Sequence, residues 1–463
     1  MSRVFFNATN NKVDEWSFQT TSSSATTFDP LVTWISGSNR VSWDVGDGSG
    51  YQATNSLSYS YSDSGSLKTV IVRVSDINRL STFQGNADNI TGEIDFSTWN
   101  NLGGAFTVNN NPALTGITHT YSPEIFTTYN VGNCNITGNL DVSMFPNLGG
   151  IFTANINPNL TSITHTASTQ VFNSYNVNQT NITNLDVSML TLGGVFSTQS
   201  CSNLTSITHS YSSQAFTNYS VNSCNLIGTH DLTMFPNLGG TLQLQSNSNL
   251  TGVTLTSCTN NFAIVSFNNC NLIGHLDMSM FSGYVTLAFQ IHSNPNLTGV
   301  TVPILSGSNF NAYSCNLTGT IDLSNSSGLT SEVRVANNSN LENILFPPTT
   351  GTFRNGFTGN EAFEMNNCNF GYVDFNPLSG ITMNTGSTYG ASIHLQNNSM
   401  TAAEVNQILV DLDNITSASP SNWAGVVLDI SGTNSAPDGS SGGFDGTTAK
   451  SNLIINGWTV TSN

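Results

Sequence analysis

A mainly β solenoid, stacked from coils of about 23 residues, is the fold class this sequence predicts, and two observations predict it. The first is repetition. Asn133-Cys134-Asn135-Ile136-Thr137-Gly138 returns as Ser223-Cys224-Asn225-Leu226-Ile227-Gly228, Asn269-Cys270-Asn271-Leu272-Ile273-Gly274 and Ser314-Cys315-Asn316-Leu317-Thr318-Gly319, and between these copies stand the related Asn249-Leu250-Thr251-Gly252 and Asn296-Leu297-Thr298-Gly299. The second is apolar spacing. Phe216, Tyr219 and Val221 precede Cys224 and Leu226 follows it, a pattern that turns alternate side chains of a short strand inward.

Aligned on the Cys or Asn of that segment, the chain contains about fourteen coils, with ladder positions at Asp88, Asn111, Cys134, Asn157, Thr180, Cys201, Cys224, Asn247, Cys270, Asn294, Cys315, Asn338, Cys368 and Asn398. The solenoid is therefore expected over residues 80–400. Before it, Val41-Ser42-Trp43-Asp44-Val45-Gly46-Asp47-Gly48 and the alternating Val70-Ile71-Val72-Arg73-Val74 read as strands joined by Gly and Asp turns, so a small β-sandwich is expected over residues 1–79. After it, Thr401 stands three residues before Glu404, and apolar residues follow at helical spacing through Leu412. That is a capping box opening a helix, and residues 401–463 read as a helix-containing cap over the open end of the stack.

The repeats resemble leucine-rich repeats, in which Asn or Cys follows a short strand. Leu317 to Asp322 is similar to the Leu-x-Gly-x-Ile stretch of plant-type repeats, with Asp322 where that family has Pro. The turn at Trp43 to Gly48 and the Val-rich strand after it resemble a polycystic-kidney-disease-type Ig-like domain, a module that serves as a spacer or adhesive unit. The ending through Gly457-Trp458-Thr459-Val460 is similar to the tails of phage and Bacteroidetes surface repeat proteins.

Composition narrows the function. Nine Lys and Arg face 27 Asp and Glu, the formal net charge is −18, and no Lys or Arg lies between Arg79 and Arg334. Nucleic-acid phosphates and anionic membrane surfaces need basic neutralisation, so neither is an expected partner. No apolar stretch is long enough to suggest membrane insertion. Met1-Ser2-Arg3-Val4-Phe5-Phe6-Asn7 lacks the apolar core of a secretory leader. An Asn, Ser, Thr and Gly-rich chain of extracellular character without a leader suggests release by lysis. The expectation is a non-enzymatic virion protein, a phage fibre or a capsid or tail decoration, assembled with other virion proteins or copies of itself. A bacterial surface adhesin lacking its export signal, and a polysaccharide-degrading enzyme, are the alternatives.

Side chains that could carry chemistry recur as architecture. Cys134, Cys201, Cys224, Cys270, Cys315 and Cys368, with Asn247 and Asn294, occupy the inward ladder position and are expected to bond the turn backbone, with no disulfide, metal or cofactor role. Cys258 alone falls off the ladder and reads as exposed. Asp95, Asp141, Asp186, Asp231, Asp277, Asp322 and Asp374 recur every second coil; copies roughly 9–10 Å apart cannot share a calcium ion, and Asx turns account for them better. His119, His165 and His209 read as a repeated surface or turn feature. The outward strand positions, Asn130, Thr153, Asn176, Ser197, Ser220, Gln243, Ser266, Gln290, Asn311, Arg334 and Glu364, form an almost uncharged strip suited to host glycan or to another protein's backbone.

Overall fold

The computed structural model describes residues 3–6, 12–34, 41–329, 331–353, 363–383 and 391–463. Met1, Ser2 and Asn7, part of the segment read for a leader, lie outside the described residues. The chain is mainly β, a solenoid of about eleven coils of roughly 23 residues with an antiparallel sheet at its N-terminus and helices at its C-terminus. The regular coils are fewer than the fourteen expected because later ladder positions are further apart. Asn367 bonds Asn337 across 30 residues, Cys368 bonds Asn398 across 30, and Asn398 bonds Asn434 across 36. Two compact units divide the chain, Met1–Asn225 and Leu226–Asn463.

Each coil turns for a local reason. The residue before a ladder position adopts a left-handed conformation, with φ between 53° and 62° at Asn110, Asn133, Ile156, Gln179, Ser200, Ser223, Ser246, Asn269, Ser293, Ser314, Asn337, Asn367 and Asn397. Asn tolerates that region best after Gly, which is one physical source of the Asn-rich composition. The ladder asparagine then ties coils together. Asn157 donates to the carbonyls of Val131 (2.9 Å) and Ala154 (3.0 Å) and accepts from the Ile136 amide (2.9 Å), satisfying three buried backbone groups at once. A ladder cysteine does less: Cys134 donates only weakly, to Val108 and Gly132 carbonyls.

In the first unit the parallel strands Gly104–Thr107, Phe126–Asn130, Gly150–Thr153, Val171–Asn176, Thr191–Ser197 and Phe216–Ser220 pair in order. Their inward residues form one aromatic column, Phe106, Tyr129, Phe152, Tyr175, Phe196 and Tyr219, with successive centroids 4.9 to 5.6 Å apart and rings tilted by 11° to 27°. The N-terminal sheet is hydrogen-bonded to the first coils. Lys12–Thr21 pairs antiparallel with Leu67–Val74 on one side and, through Gln19↔Thr91 and Thr20↔Ile90, with Ile90–Phe96 on the other. Trp16, Phe18, Phe83, Phe96 and Trp99 pack ring against ring there and fill the end of the stack.

The second unit repeats the parallel ladder from Gly240–Gln243 through Phe262–Ser266, Val285–Gln290, Asn309–Asn311 and Val333–Arg334. It continues through Phe363–Glu364, Ser392–His394 and Val427–Asp429 to Thr459–Thr461. The helix Ala402–Ala418 starts at Thr401 with the capping box the sequence announces, and it buries Val405, Ile408, Leu409, Leu412 and Ile415. Helix Gly446–Ile455 packs beside it, and Trp423 and Trp458 stack 6.0 Å apart within the same cap.

Candidate functional site: the outward ribbon

The strand pairing decides where the outward side chains go. Because neighbouring strands are parallel and in register, one position on each strand forms a straight row, about 4.8 Å from row member to row member. In the first unit the register pairs are Gln84↔Thr107, Thr107↔Asn130, Asn130↔Thr153, Thr153↔Asn176, Asn176↔Ser197 and Ser197↔Ser220. In the second they are Gln243↔Ser266, Ser266↔Gln290, Gln290↔Asn311, Asn311↔Arg334 and Arg334↔Glu364, followed by His394, Asp429 and Thr461. All eleven residues singled out in the sequence therefore stand on these rows. Gln84 and Thr107 were passed over although Phe83-Gln84 and Phe106-Thr107 carry the same pattern. His394, Asp429 and Thr461 escaped because the coil length changes before them.

The rows are not uniformly open to water. Asn130, Thr153, Asn176, Gln243 and Gln290 are half-buried, whereas Ser197, Ser220, Ser266 and Asn311 are buried. Much of the polar capacity is turned inward on the row itself. Asn130 and Asn176 accept from the amides of Gly132 and Asn178; Gln199 donates to Ser220, Ser220 to Asn222, and Ser266 to Asn268 and Gln290. These bonds fix rotamers and give the ribbon a defined pattern of donors and acceptors.

One stretch of the second unit breaks the uncharged pattern. His292 stacks on Tyr313 at 4.3 Å, Arg334 lies over the same ring at 4.5 Å, and Arg334 is paired with Glu332 at 3.0 Å and with Glu364. Burial holds His292 down to about 4, so the stack is uncharged at its histidine near neutrality.

No family model, curated protein or solved structure matches this chain.

The recurring aspartates make Asx turns. Asp95, Asp141, Asp186, Asp231, Asp277, Asp322 and Asp374 each accept from the amide two residues on, at 2.8 to 2.9 Å. Among the described residues, three or more His, Cys, Asp or Glu side chains do not gather anywhere in a metal-binding group.

Two sequence expectations are corrected. The histidines turn inward and are not a free surface feature: His119 is buried, His165 and His209 are half-buried, and Nε2 of His119, His165 and His209 meets the hydroxyl of Tyr129, Tyr175 and Tyr219 at 2.8, 2.8 and 2.7 Å. The column of aromatic rings alternates Phe and Tyr, and only a Tyr needs a buried polar partner, which is why His returns every second coil. Cys258 is buried, not exposed, with its thiol directed at the Thr256 carbonyl (3.4 Å). The Cys258 amide donates to the Met280 carbonyl as the Ser122 and Ser168 amides donate to those of Met144 and Met189, so Cys258 takes an inward corner that earlier coils give to Ser. All seven cysteines are buried and unbridged.

Proposed function

We propose that this chain is a non-enzymatic, extracellular adhesion protein, a virion fibre or decoration, that recognises uncharged glycan on a host surface through its outward ribbon. The observation that supports the reading most is the register: identical strand positions carry amide or hydroxyl groups from Thr107 to Ser220 and again from Gln243 to Asn311. A polymer with repeating hydroxyls would meet the half-buried Thr107, Asn130, Thr153 and Asn176 at successive steps, and Gln243 and Gln290 two steps apart, so that several weak bonds add. A net charge of −18 sets the selectivity, since an acidic polymer is repelled and a neutral one is not. Within each unit the hydrogen-bonded parallel strands are already ordered, so binding there costs little further order.

The test is calorimetry of the full chain against a neutral and an acidic surface polysaccharide, with new reducing ends measured in the same samples. Binding of the neutral polymer that persists at high salt, without new reducing ends, is expected. Binding of the acidic polymer alone, or steady release of reducing ends, overturns the reading.

A further inference from the structure

We propose that Cys201 and Cys224 form an oxidisable pair that closes to a disulfide between neighbouring coils of the first unit, while the other five thiols do not pair. The two residues hold the same place in consecutive coils: Ser197 pairs with Ser220, the Thr198 amide donates to the Ser220 carbonyl at 2.9 Å, and the Ser200 amide to the Asn222 carbonyl at 3.0 Å. Each cysteine follows a left-handed serine, Ser200 at φ 58° and Ser223 at φ 57°, so both side chains leave the backbone in the same direction. Both point inward, Cys201 toward the Val177 carbonyl at 3.2 Å and Cys224 toward the Thr198 carbonyl at 2.9 Å. In-register parallel strands place backbones about 4.8 Å apart, inside the roughly 4.4–6.8 Å range of Cα separations that a disulfide spans.

Nowhere else does the ladder set two thiols side by side. Cys134, Cys270, Cys315 and Cys368 each stand between two asparagines of the ladder. Their environments differ in kind as well. Burial pushes the thiols of Cys134, Cys270 and Cys315 up to about 11 and that of Cys368 up to about 12. Cys201 moves the opposite way, its nearest cause being the neighbouring Cys224 side chain, so the two thiols sense each other as the isolated ones do not. The reaction is a two-electron oxidation. Two S–H bonds are lost and one S–S bond forms, and the two electrons and two protons pass to a small-molecule disulfide, which is cleaved to two thiols.

The experiment treats the full chain with bis(2-hydroxyethyl) disulfide, quenches with acid, counts free thiols in denaturant and maps the peptides by mass spectrometry. Seven thiols falling to five, with one cross-linked peptide joining Cys201 to Cys224, is expected. In a Cys224→Ala variant the count stays at six. A count that remains at seven in the unmodified chain, or lost thiols that map to other positions, overturns the proposal; peptide mapping of the unmodified chain decides even where the variant does not fold.

Discussion

Nε2 of His119 and the hydroxyl of Tyr129 lie 2.8 Å apart inside the first unit, and both residues are closed to bulk water. Burial holds His119 down to about 3, so the ring is neutral when the protein is folded near neutral pH. Tyr129→Phe copies the residue that adjacent coils use, yet it strands the imidazole nitrogen. A loss of about 1–3 kcal/mol is expected in equilibrium urea unfolding, recovered in large part by adding His119→Leu. A single variant as stable as the parent contradicts the role given to this bond.

Much of the fold was legible because its determinants are local and repeated. The ladder residue, the left-handed residue before it and the capping box at Thr401 each act within a few positions, so pattern alone exposes them. The His–Tyr bond was not legible, since it joins residues ten apart across the interior of a coil, and His119 in isolation looks like any polar turn residue. Burial of Ser220 and Asn311 on the ribbon was hidden too, because the strand's own alternation turns them outward; Ser220 receives a bond from Gln199 of the preceding coil, which no local pattern announces.

Asp88 holds the ladder position that later coils give to Asn. Its Oδ1 accepts from the Asp29 amide at 2.7 Å, but Oδ2 is buried without a partner, and burial raises the carboxyl to about 7. A raised folded-state pKa means stability that is complete below the unfolded value near 4 and is lost as pH rises through 7. Asp88→Asn removes that loss. The variant is expected to gain roughly 2–4 kcal/mol over the parent at pH 8 and almost nothing at pH 4, read as the difference in urea midpoint. A gain that does not grow with pH speaks against the assignment.

Ile156 sits at φ 54° in a position where the equivalent residues are mostly Asn or Ser. A β-branched side chain is strained in that region by about 1–2 kcal/mol. Ile156 is 39% exposed, so replacing it sacrifices little packing. Ile156→Asn is therefore expected to raise stability by about 1 kcal/mol in thermal or urea unfolding. A destabilised variant shows that the side chain contributes more through contact than the backbone loses through strain.

The most direct test of the recognition surface is a ribbon variant, Thr153→Glu with Asn176→Glu, compared with the parent for affinity to a neutral surface polysaccharide and for unfolding midpoint. Thr153 and Asn176 are register partners and half-buried, so two carboxylates would interrupt the row without entering the core. Affinity reduced at least about tenfold, equivalent to about 1.4 kcal/mol, with the midpoint little changed, is the expected result. Equal affinity in variant and parent contradicts recognition by this ribbon.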